Sequence, residues 1–222
     1  MDSILNMLIN KSIVNTTTKI INNKNFIINY SKTLGRPLFA SYDILPNQIS
    51  QFKYGRKKCK RDLRLDDKQI YQLDPKSNIF TNSISRGHLC PSFMMSYDKT
   101  INGLWSSTYL MTNIIPQNIE FNCGTWRELE INTLSFIKKV AKNVKIIVGA
   151  TELDYKSNTG FNFINFNKPI IWFDKKKNFI YKIPNIMYMI VITEYEVKCY
   201  IGLNNSSQQI YSIDLENLLC LI

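Results

Sequence analysis

Ser85, Arg86, Gly87 and His88 form the segment whose residue types most directly suggest chemistry. His88 is the only histidine among the 222 residues, and an imidazole of ordinary pKa can accept a proton from water near neutral pH. Arg86 offers a planar cation that fits phosphate oxygens, and Gly87 lets backbone or ligand approach closely. Because a single histidine is more often a core or surface residue, proton transfer at a phosphate is indicated only if other residues support it.

Two further blocks lie downstream of this segment. They are Thr112-Asn113 with Pro116-Gln117, and Asn122 with Trp126 and Glu130. Taken one at a time, Asn122 is a helix cap or turn residue, Trp126 a core residue and Glu130 a solvated helix charge. A functional interpretation therefore depends on the order and spacing of the blocks rather than on any one residue.

The three blocks together resemble the DNA/RNA non-specific endonuclease family, the ββα-metal nucleases that include endonuclease G. The family pattern is Arg-Gly-His, then Ser/Thr-Asn-x-x-Pro-Gln, then Asn-x-x-x-Trp-x-x-x-Glu, and all three parts match in order and spacing. The commonest form of the first block begins with aspartate, whereas this chain has Ser85. Serine at that position is similar to the mitochondrial exonuclease-like branch of endonuclease G relatives, so this departure does not imply loss of activity.

The resemblance implies a role for each residue of the site. His88 would deprotonate the attacking water, so activity should decline as the pH falls through the pKa of the imidazole. Asn122 would be the one direct protein ligand of Mg²⁺, with Mn²⁺ as the alternative ion, and water would fill other positions because Mg²⁺ dehydrates reluctantly. Glu130, roughly 12 Å from Asn122 along a continuous helix, would hold metal-bound waters. Asn113 would orient His88 or the water network.

Basic residues would bind the substrate phosphate in this scheme. Arg86 is one of them, and another would come from residues 56–64, part of a basic stretch at residues 53–64 that holds seven lysines and arginines against one aspartate. Arg64 is the first choice because its distance upstream of the first block resembles that of the family's upstream arginine. Arg61 and Lys60 are alternatives, and for any one of these residues a solvated basic loop is an equally good interpretation.

The overall charge adds a second, weaker indication. Lysine and arginine number 28 against 17 aspartates and glutamates, which gives a net charge of +11. Such a surplus favours a polyanionic partner, either nucleic acid or an acidic membrane surface. An AT-rich gene would account for part of the lysine content. A membrane-surface protein would explain the charge but not the three blocks.

Cysteine usage and apolar runs bear on where the protein works. The five cysteines are odd in number and contain no C-x-x-C pair, which argues against a disulfide framework or a structural zinc site and favours a reducing compartment such as the cytoplasm. No apolar run approaches the roughly 18 residues of a membrane span, so no stable membrane insertion is expected. Residues 1–24 are expected to be an N-terminal arm, disordered or targeting, with mitochondria as the alternative location.

Residues 25–222 are expected to form a single α+β nuclease domain. β-Branched and aromatic runs predict strands, and apolar residues at three- and four-residue steps predict one long helix. The resemblance implies the ββα-metal (His-Me finger) fold, with a central antiparallel sheet and a long helix that carries the metal site. The predicted strands span residues 26–30, 37–42, 108–113, 144–150, 170–173, 179–183, 187–193 and 197–203, the predicted helices span residues 124–142 and 212–219, and residues 74–88 are expected to be loop-like.

The expected function is metal-dependent hydrolysis of phosphodiester bonds in DNA, RNA or both, with little sequence preference. Endonuclease and exonuclease action are both compatible with the sequence, as are DNA and RNA substrates. The alternative is a protein that keeps the nuclease fold and binds nucleic acid without catalysis. Degenerate members of the family usually lose the histidine or the metal-binding asparagine, and His88 and Asn122 are both present. Relatives are often homodimers, so the resemblance also implies a homodimer as one arrangement.

Overall fold

The computed structural model describes residues 2–15, 17–51, 55, 57–65, 70–97, 104–140, 142–153 and 168–222 of the chain. Within these ranges the strands hold one large sheet and the helices pack around it, so the predicted α+β class is confirmed. None of the helices in these ranges combines the length and the apolar character that crossing a membrane requires.

The regular elements are numbered in chain order. The strands are β1 (Thr18–Asn22), β2 (Phe26–Ser31), β3 (Arg36–Ile44), β4 (Ile84–His88), β5 (Ile114–Asn118), β6 (Val144–Thr151), β7 (Ile170–Asp174), β8 (Phe179–Ile183), β9 (Ile186–Ile192), β10 (Val197–Leu203) and β11 (Ile210–Ile213). The helices are α1 (Asp2–Asn15), α2 (Pro46–Ile49), α3 (Leu104–Ser107), α4 (Ile119–Cys123), α5 (Thr125–Val140) and α6 (Leu215–Leu221). Short 3₁₀ turns lie at Leu63–Leu65, Ser92–Met95 and Met111–Asn113.

Seven of these strands form one antiparallel sheet in the order β1-β2-β3-β6-β9-β10-β11. β6 and β9 lie in its middle, and every residue of β9 is buried. Their nearly continuous apolar runs are typical of strands that are covered on both faces. Because side chains alternate across a strand, Met187 and Met189 belong to one apolar layer while Tyr188 and Ile190 belong to the other.

Helices cover both faces of this sheet. On one face, Leu8 of α1 packs together with Leu218 and Leu221 of α6. On the other face, Trp126 and Ile137 of α5 pack against the sheet, as expected for an amphipathic helix whose apolar residues form one stripe. The apolar layer on this second face also contains buried residues next to the predicted site. The large sheet therefore packs against the elements that carry that site.

β4 and β5 form a separate antiparallel pair that leads into α4 and α5. In its register His88 pairs with Ile114, and Ser85 pairs with Gln117. Gly87 is required here, because a Cβ atom at this position would lie 1.8 Å from Oε1 of Gln117. This strand–strand–helix unit is the ββα element that the sequence predicted.

The structure corrects the prediction of a disordered N-terminal arm over residues 1–24, as far as it describes them. Residues 2–15 form α1, whose Leu8 is buried. β1 pairs with β2 and forms the edge of the large sheet. A domain boundary at residue 25 would therefore separate two hydrogen-bonded strands. The targeting function predicted for the arm stays a prediction.

The predicted strand at residues 108–113 is wrong, and so is the end of the predicted loop at residues 74–88. Met111–Asn113 is a 3₁₀ turn, and β5 begins only at Ile114. The buried amide of Asn113 donates to two backbone carbonyls and stabilises this turn, a side-chain effect that strand propensity does not include. The last five residues of the predicted loop form β4, because they pair with β5.

The C-terminal helix begins later than predicted. The side chain of Asp214 accepts a hydrogen bond from the backbone nitrogen of Asn217 and caps α6 at its N-terminus. Aspartate is a favoured residue for this position, so the helix starts at Leu215 rather than at residue 212. The residues just before the cap form β11, which pairs with β10 and was not predicted.

Candidate active site

His88 stands at the last position of β4, and its ring is held by an aromatic neighbour. The imidazole meets Tyr109 edge-on, with ring centroids 5.1 Å apart and planes at 83°, a geometry that aromatic pairs favour. The hydroxyl of Tyr109 donates to the carbonyl of Gly55 at 2.8 Å and lies 3.2 Å from the hydroxyl of Ser92. The imidazole therefore packs against a ring that is itself anchored.

Nε2 of His88 is buried and has no hydrogen-bond partner among the described residues, although the side chain as a whole is partly exposed. Burial lowers the pKa of His88 from 6.5 to about 4, and a hydrogen bond with the backbone of Arg86 partly opposes this shift. Only the neutral imidazole can accept a proton. His88 is thus in its base form at pH 7, and the near-neutral pKa expected from the sequence is corrected downward.

Asn122 lies in α4, and Ser85 orients its side-chain amide. Nδ2 of Asn122 donates to Oγ of Ser85 at 2.9 Å, and this hydroxyl donates to the carbonyl of Gln117 at 3.0 Å. Because the amide nitrogen is engaged, the oxygen Oδ1 is the part of the amide that can accept a further partner. Serine accepts this hydrogen bond as a carboxylate would, so the Asp-to-Ser departure at the first block preserves an acceptor for the amide.

Glu130 lies in α5 and is only 8% exposed. Burial raises the pKa of its carboxyl to about 8, while the neighbouring Arg127 lowers it. A nearby cation has this effect because it stabilises the charged form. Asn122 and Glu130 lie on different helices, since Gly124 separates α4 from α5 with backbone angles of φ −97° and ψ −115°. The separation predicted along one continuous helix therefore does not apply.

His88, Asn122 and Glu130 line one cleft with a volume of about 750 Å³. β4, α4, α5 and the segment around residues 55–59 contribute its walls. Ser85 and Arg86 of the first block line the same cleft. The structure therefore brings together residues from the first and third sequence blocks.

The oxygen donors of this cleft fit a cation that keeps most of its water ligands. Asn122 offers an amide oxygen, and Glu130 offers a carboxyl group. In the part of the chain that the structure describes, no three His, Cys, Asp or Glu side chains are grouped so that they could hold a metal ion. Closed structural zinc sites need such a group, whereas Mg²⁺ is commonly bound through one or two carboxylates together with waters and substrate phosphates. The donor set fits Mg²⁺ better than zinc.

Asn113 does not line the cleft, and the role predicted for it, to orient His88 or the water network, stays a prediction. Its Nδ2 donates to the carbonyls of Cys90 and Thr108, both at 2.9 Å, and its Oδ1 accepts from the backbone nitrogen of Cys90 at 2.9 Å. All three bonds are to backbone rather than to His88 or to a water network. They tie the turn after His88 to the segment that carries Tyr109, so Asn113 supports the ring pair indirectly.

Arg64, the first choice for the phosphate, is bound elsewhere. Its guanidinium donates to the carboxylate of Asp62 at 2.8 and 2.6 Å and to a backbone carbonyl of β1 at 3.0 Å. Burial would raise the pKa of Asp62, but hydrogen bonds from Arg64 and Thr112 hold it below its ordinary value. Neither Arg64 nor the alternatives Arg61 and Lys60 line the cleft, so the phosphate contact predicted for these residues stays a prediction without support from the cleft.

Arg86 lines the cleft as an exposed side chain. Its guanidinium donates to the carbonyl of Pro75, with Nε at 3.0 Å, and stacks over Phe80 at 4.2 Å from the ring centroid. Stacking of arginine on an aromatic face is favourable and restricts the guanidinium. Arg86 is therefore a positioned cation at the edge of the cleft.

Among the cleft residues that the sequence interpretation did not single out, Lys57, Tyr109 and Arg127 contribute a charge or an aromatic contact. Arg127 lies one helical turn before Glu130, so helical spacing alone could have identified it. Lys57 belongs to the basic stretch of residues 53–64 but was not singled out there, and Lys53 and Arg56 of that stretch lie outside the described residues. Nothing in the sequence marks Tyr109, because its contact with the imidazole arises only in the tertiary structure.

Comparisons with known proteins bear on the family and on the fold. A family model described as DNA/RNA non-specific endonuclease matches residues 6–217. No curated protein sequence matches significantly. Among solved structures, a crystal structure of the EndoG/EndoGI complex, concerned with the mechanism of EndoG inhibition, is similar with a TM-score of 0.66 and 14% sequence identity over 91% of this chain and 82% of that chain. At this identity the likeness shows the fold alone, and the predicted nuclease fold is confirmed.

Proposed function

The chain belongs to the DNA/RNA non-specific endonuclease family, and we propose that it hydrolyses phosphodiester bonds of DNA, RNA or both in a Mg²⁺-dependent reaction with His88 as the general base. The observation that carries this proposal is the presence of His88 and Asn122 in one cleft, each with an atom suited to its proposed role. Nε2 of His88 has no hydrogen-bond partner among the described residues. The amide nitrogen of Asn122 donates to Ser85, which leaves the amide oxygen to act as a ligand. Both side chains line the same space.

The proton-accepting step falls to Nε2 of His88. Because this atom is unpartnered, we assign the backbone hydrogen bond with Arg86 to the other ring nitrogen, which would then carry the proton. That tautomer would leave a lone pair on Nε2. The edge-on contact with Tyr109 limits rotation of the ring, so the lone pair would keep a fixed direction.

Asn122 would hold Mg²⁺ directly, and Glu130 would hold it through bound water. When bound, Mg²⁺ would stabilise the negative charge that develops on the phosphate and on the leaving oxygen. Arg86 would bind a phosphate oxygen with its guanidinium. Since these contacts are to the phosphate backbone rather than to base edges, they support weak sequence preference and strong salt dependence.

The direct test is cleavage of supercoiled plasmid, linear duplex, single-stranded DNA and RNA with Mg²⁺ and with EDTA. His88→Gln keeps a polar side chain but removes the base, so we expect cleavage to fall by about 10²- to 10⁴-fold. Asn122→Ala should weaken cleavage and raise the Mg²⁺ concentration that is needed for it. The matched control is Asn132→Ala, because Asn132 is an exposed asparagine of α5 outside the cleft.

Three results would contradict the proposal. Undiminished cleavage by His88→Gln would remove the general base. Full activity of Asn122→Ala at low Mg²⁺ would remove the metal ligand. Nucleic-acid binding by the wild-type protein without cleavage of any substrate would favour a nuclease fold that has lost catalysis.

A further inference from the structure

The two basic residues that the sequence blocks assign to phosphate binding are partly or fully engaged by the protein itself. Arg64 uses Nε and both terminal nitrogens in bonds to Asp62 and to a backbone carbonyl of β1. Arg86 uses Nε and one terminal nitrogen in bonds to the carbonyl of Pro75. The motif residues therefore leave few guanidinium donors for a polyanionic strand.

Two other cations line the cleft on different elements. Arg127 lies in the first turn of α5, is exposed, and is near enough to Glu130 to lower the pKa of that carboxyl. Lys57 lies on the segment around residues 55–59, where its ammonium group is 2.7 Å from Oγ of Ser106 and 4.3 Å from the centroid of the Trp105 ring. Both charges thus border the space that holds His88 and Asn122.

We propose that Arg127, together with Lys57, binds backbone phosphates adjacent to the scissile phosphate and so takes over the role that the sequence interpretation gave to Arg64. This inference rests on the proposed function, because it places a nucleic-acid strand in the cleft. Arg127 and Lys57 line the same cleft as the proposed reacting groups, so a strand bound at both residues would lie in the space that these groups border.

The cost of losing such a contact follows from counterion release. Each phosphate neutralised on duplex DNA contributes a slope of about 0.9 to the dependence of log affinity on log salt concentration. Removing one contact should therefore weaken binding about 15-fold at about 0.05 M salt and about fivefold at about 0.15 M salt. The salt slope itself should fall by about one.

The experiment measures duplex binding by fluorescence anisotropy over a salt series in His88→Gln, a background that keeps the strand intact. Into this background we introduce Arg127→Gln, Lys57→Gln and, as a matched control, Lys139→Gln. Lys139 is an exposed cation of the same helix as Arg127 but does not line the cleft. We expect the first two variants to lose affinity and salt slope as calculated, and the control to lose much less. Arg127→Lys, which keeps the charge, should restore the slope.

The outcomes separate this inference from the proposed function. If the His88→Gln background binds duplex but Arg127→Gln has the same affinity and slope as Lys139→Gln, the phosphate contact of Arg127 is refuted and the nuclease function stands. If the background binds no nucleic acid even at low salt, both are overturned. Circular dichroism of each variant shows whether it is folded, so a loss of affinity in a folded variant counts for the contact.

Discussion

Lowering the pH should destabilise the protein through His88, and the size of this effect follows from its pKa. Burial holds the pKa at about 4 in the folded state, against the ordinary 6.5 that applies to the unfolded chain. As the pH falls below about 6.5 the unfolded chain takes up a proton that the folded chain takes up only near pH 4, so stability is lost across this window. At 1.36 kcal/mol per pKa unit the loss amounts to about 3 kcal/mol. This is an upper figure, because part of the side chain reaches solvent.

The assay compares the free energy of unfolding of wild type and His88→Gln in denaturant at about pH 7, 5.5 and 4. Other titrating groups are common to both proteins, so the difference between the two curves isolates the imidazole. Between about pH 7 and about pH 4, the free energy of unfolding should fall by up to about 3 kcal/mol more in wild type than in the variant. Equal losses would refute the burial of Nε2. The same pKa places the acid limb of kcat/KM near pH 4, and a decline centred near pH 6.5 would contradict it as well.

Three further substitutions test the support of the site. Ser85→Ala removes the acceptor for Nδ2 of Asn122, and losing such a contact behind the proposed metal ligand should lower Mg²⁺ affinity or cleavage by about 10- to 100-fold. Gly87→Ala places a methyl group 1.8 Å from Oε1 of Gln117, so unfolding experiments should show a loss of about 1 to 3 kcal/mol. Arg64→Gln leaves a buried carboxylate short of donors and should cost about 2 kcal/mol of stability, while duplex affinity changes no more than in a surface-lysine control.

Each of these substitutions has an outcome that would contradict its premise. Ser83→Ala is the control for Ser85, because Ser83 is an exposed serine just before β4 whose hydroxyl has the hydroxyl of Thr81 as its partner among the described residues. If the two serine variants behave alike, the orientation of Asn122 does not depend on Ser85. A Gly87→Ala protein of wild-type stability would mean that Gln117 can move aside. A large loss of duplex affinity in Arg64→Gln would return Arg64 to the phosphate site.

The sequence blocks predicted which residues line one cleft better than they predicted the hydrogen-bond partners of each side chain. His88, Asn122 and Glu130 line one cleft because the chain runs from β4 through β5 into α4 and α5, and block spacing reflects this order. Asn113 lies outside this cleft, and its side-chain partners are backbone groups of Cys90 and Thr108. The backbone of Cys90, with which it exchanges two hydrogen bonds, is 23 residues away in sequence.

The choice of Arg64 for the phosphate is weakened by an ion pair, for which the sequence contained a usable signal. Spacing from a motif reports where a residue stands along the chain but not which neighbour has already bound its charge. Asp62 is the one acid among residues 53–64 and lies two positions before Arg64, and Thr112 of the second block also donates to its carboxylate. A buried carboxylate needs such partners, so the ion pair leaves Arg64 fewer guanidinium donors for a phosphate. The burial that decides this outcome exists only in the folded chain.

Gly124 shows how one backbone feature decides the geometry of the proposed metal site. In a continuous helix, Asn122 and Glu130 would be separated by about 12 Å along the axis and by about 80° around it, which would hinder binding of the same small ion. The break after α4 removes this constraint, and both residues line one cleft. A Cβ atom at Gly124 would lie 2.5 Å from the carbonyl oxygen of Glu120 and 2.2 Å from Oε1 of Gln208. The close approach that turns the chain here therefore requires glycine, and the amphipathic spacing that correctly predicted α5 could not reveal that Asn122 belongs to a separate helix.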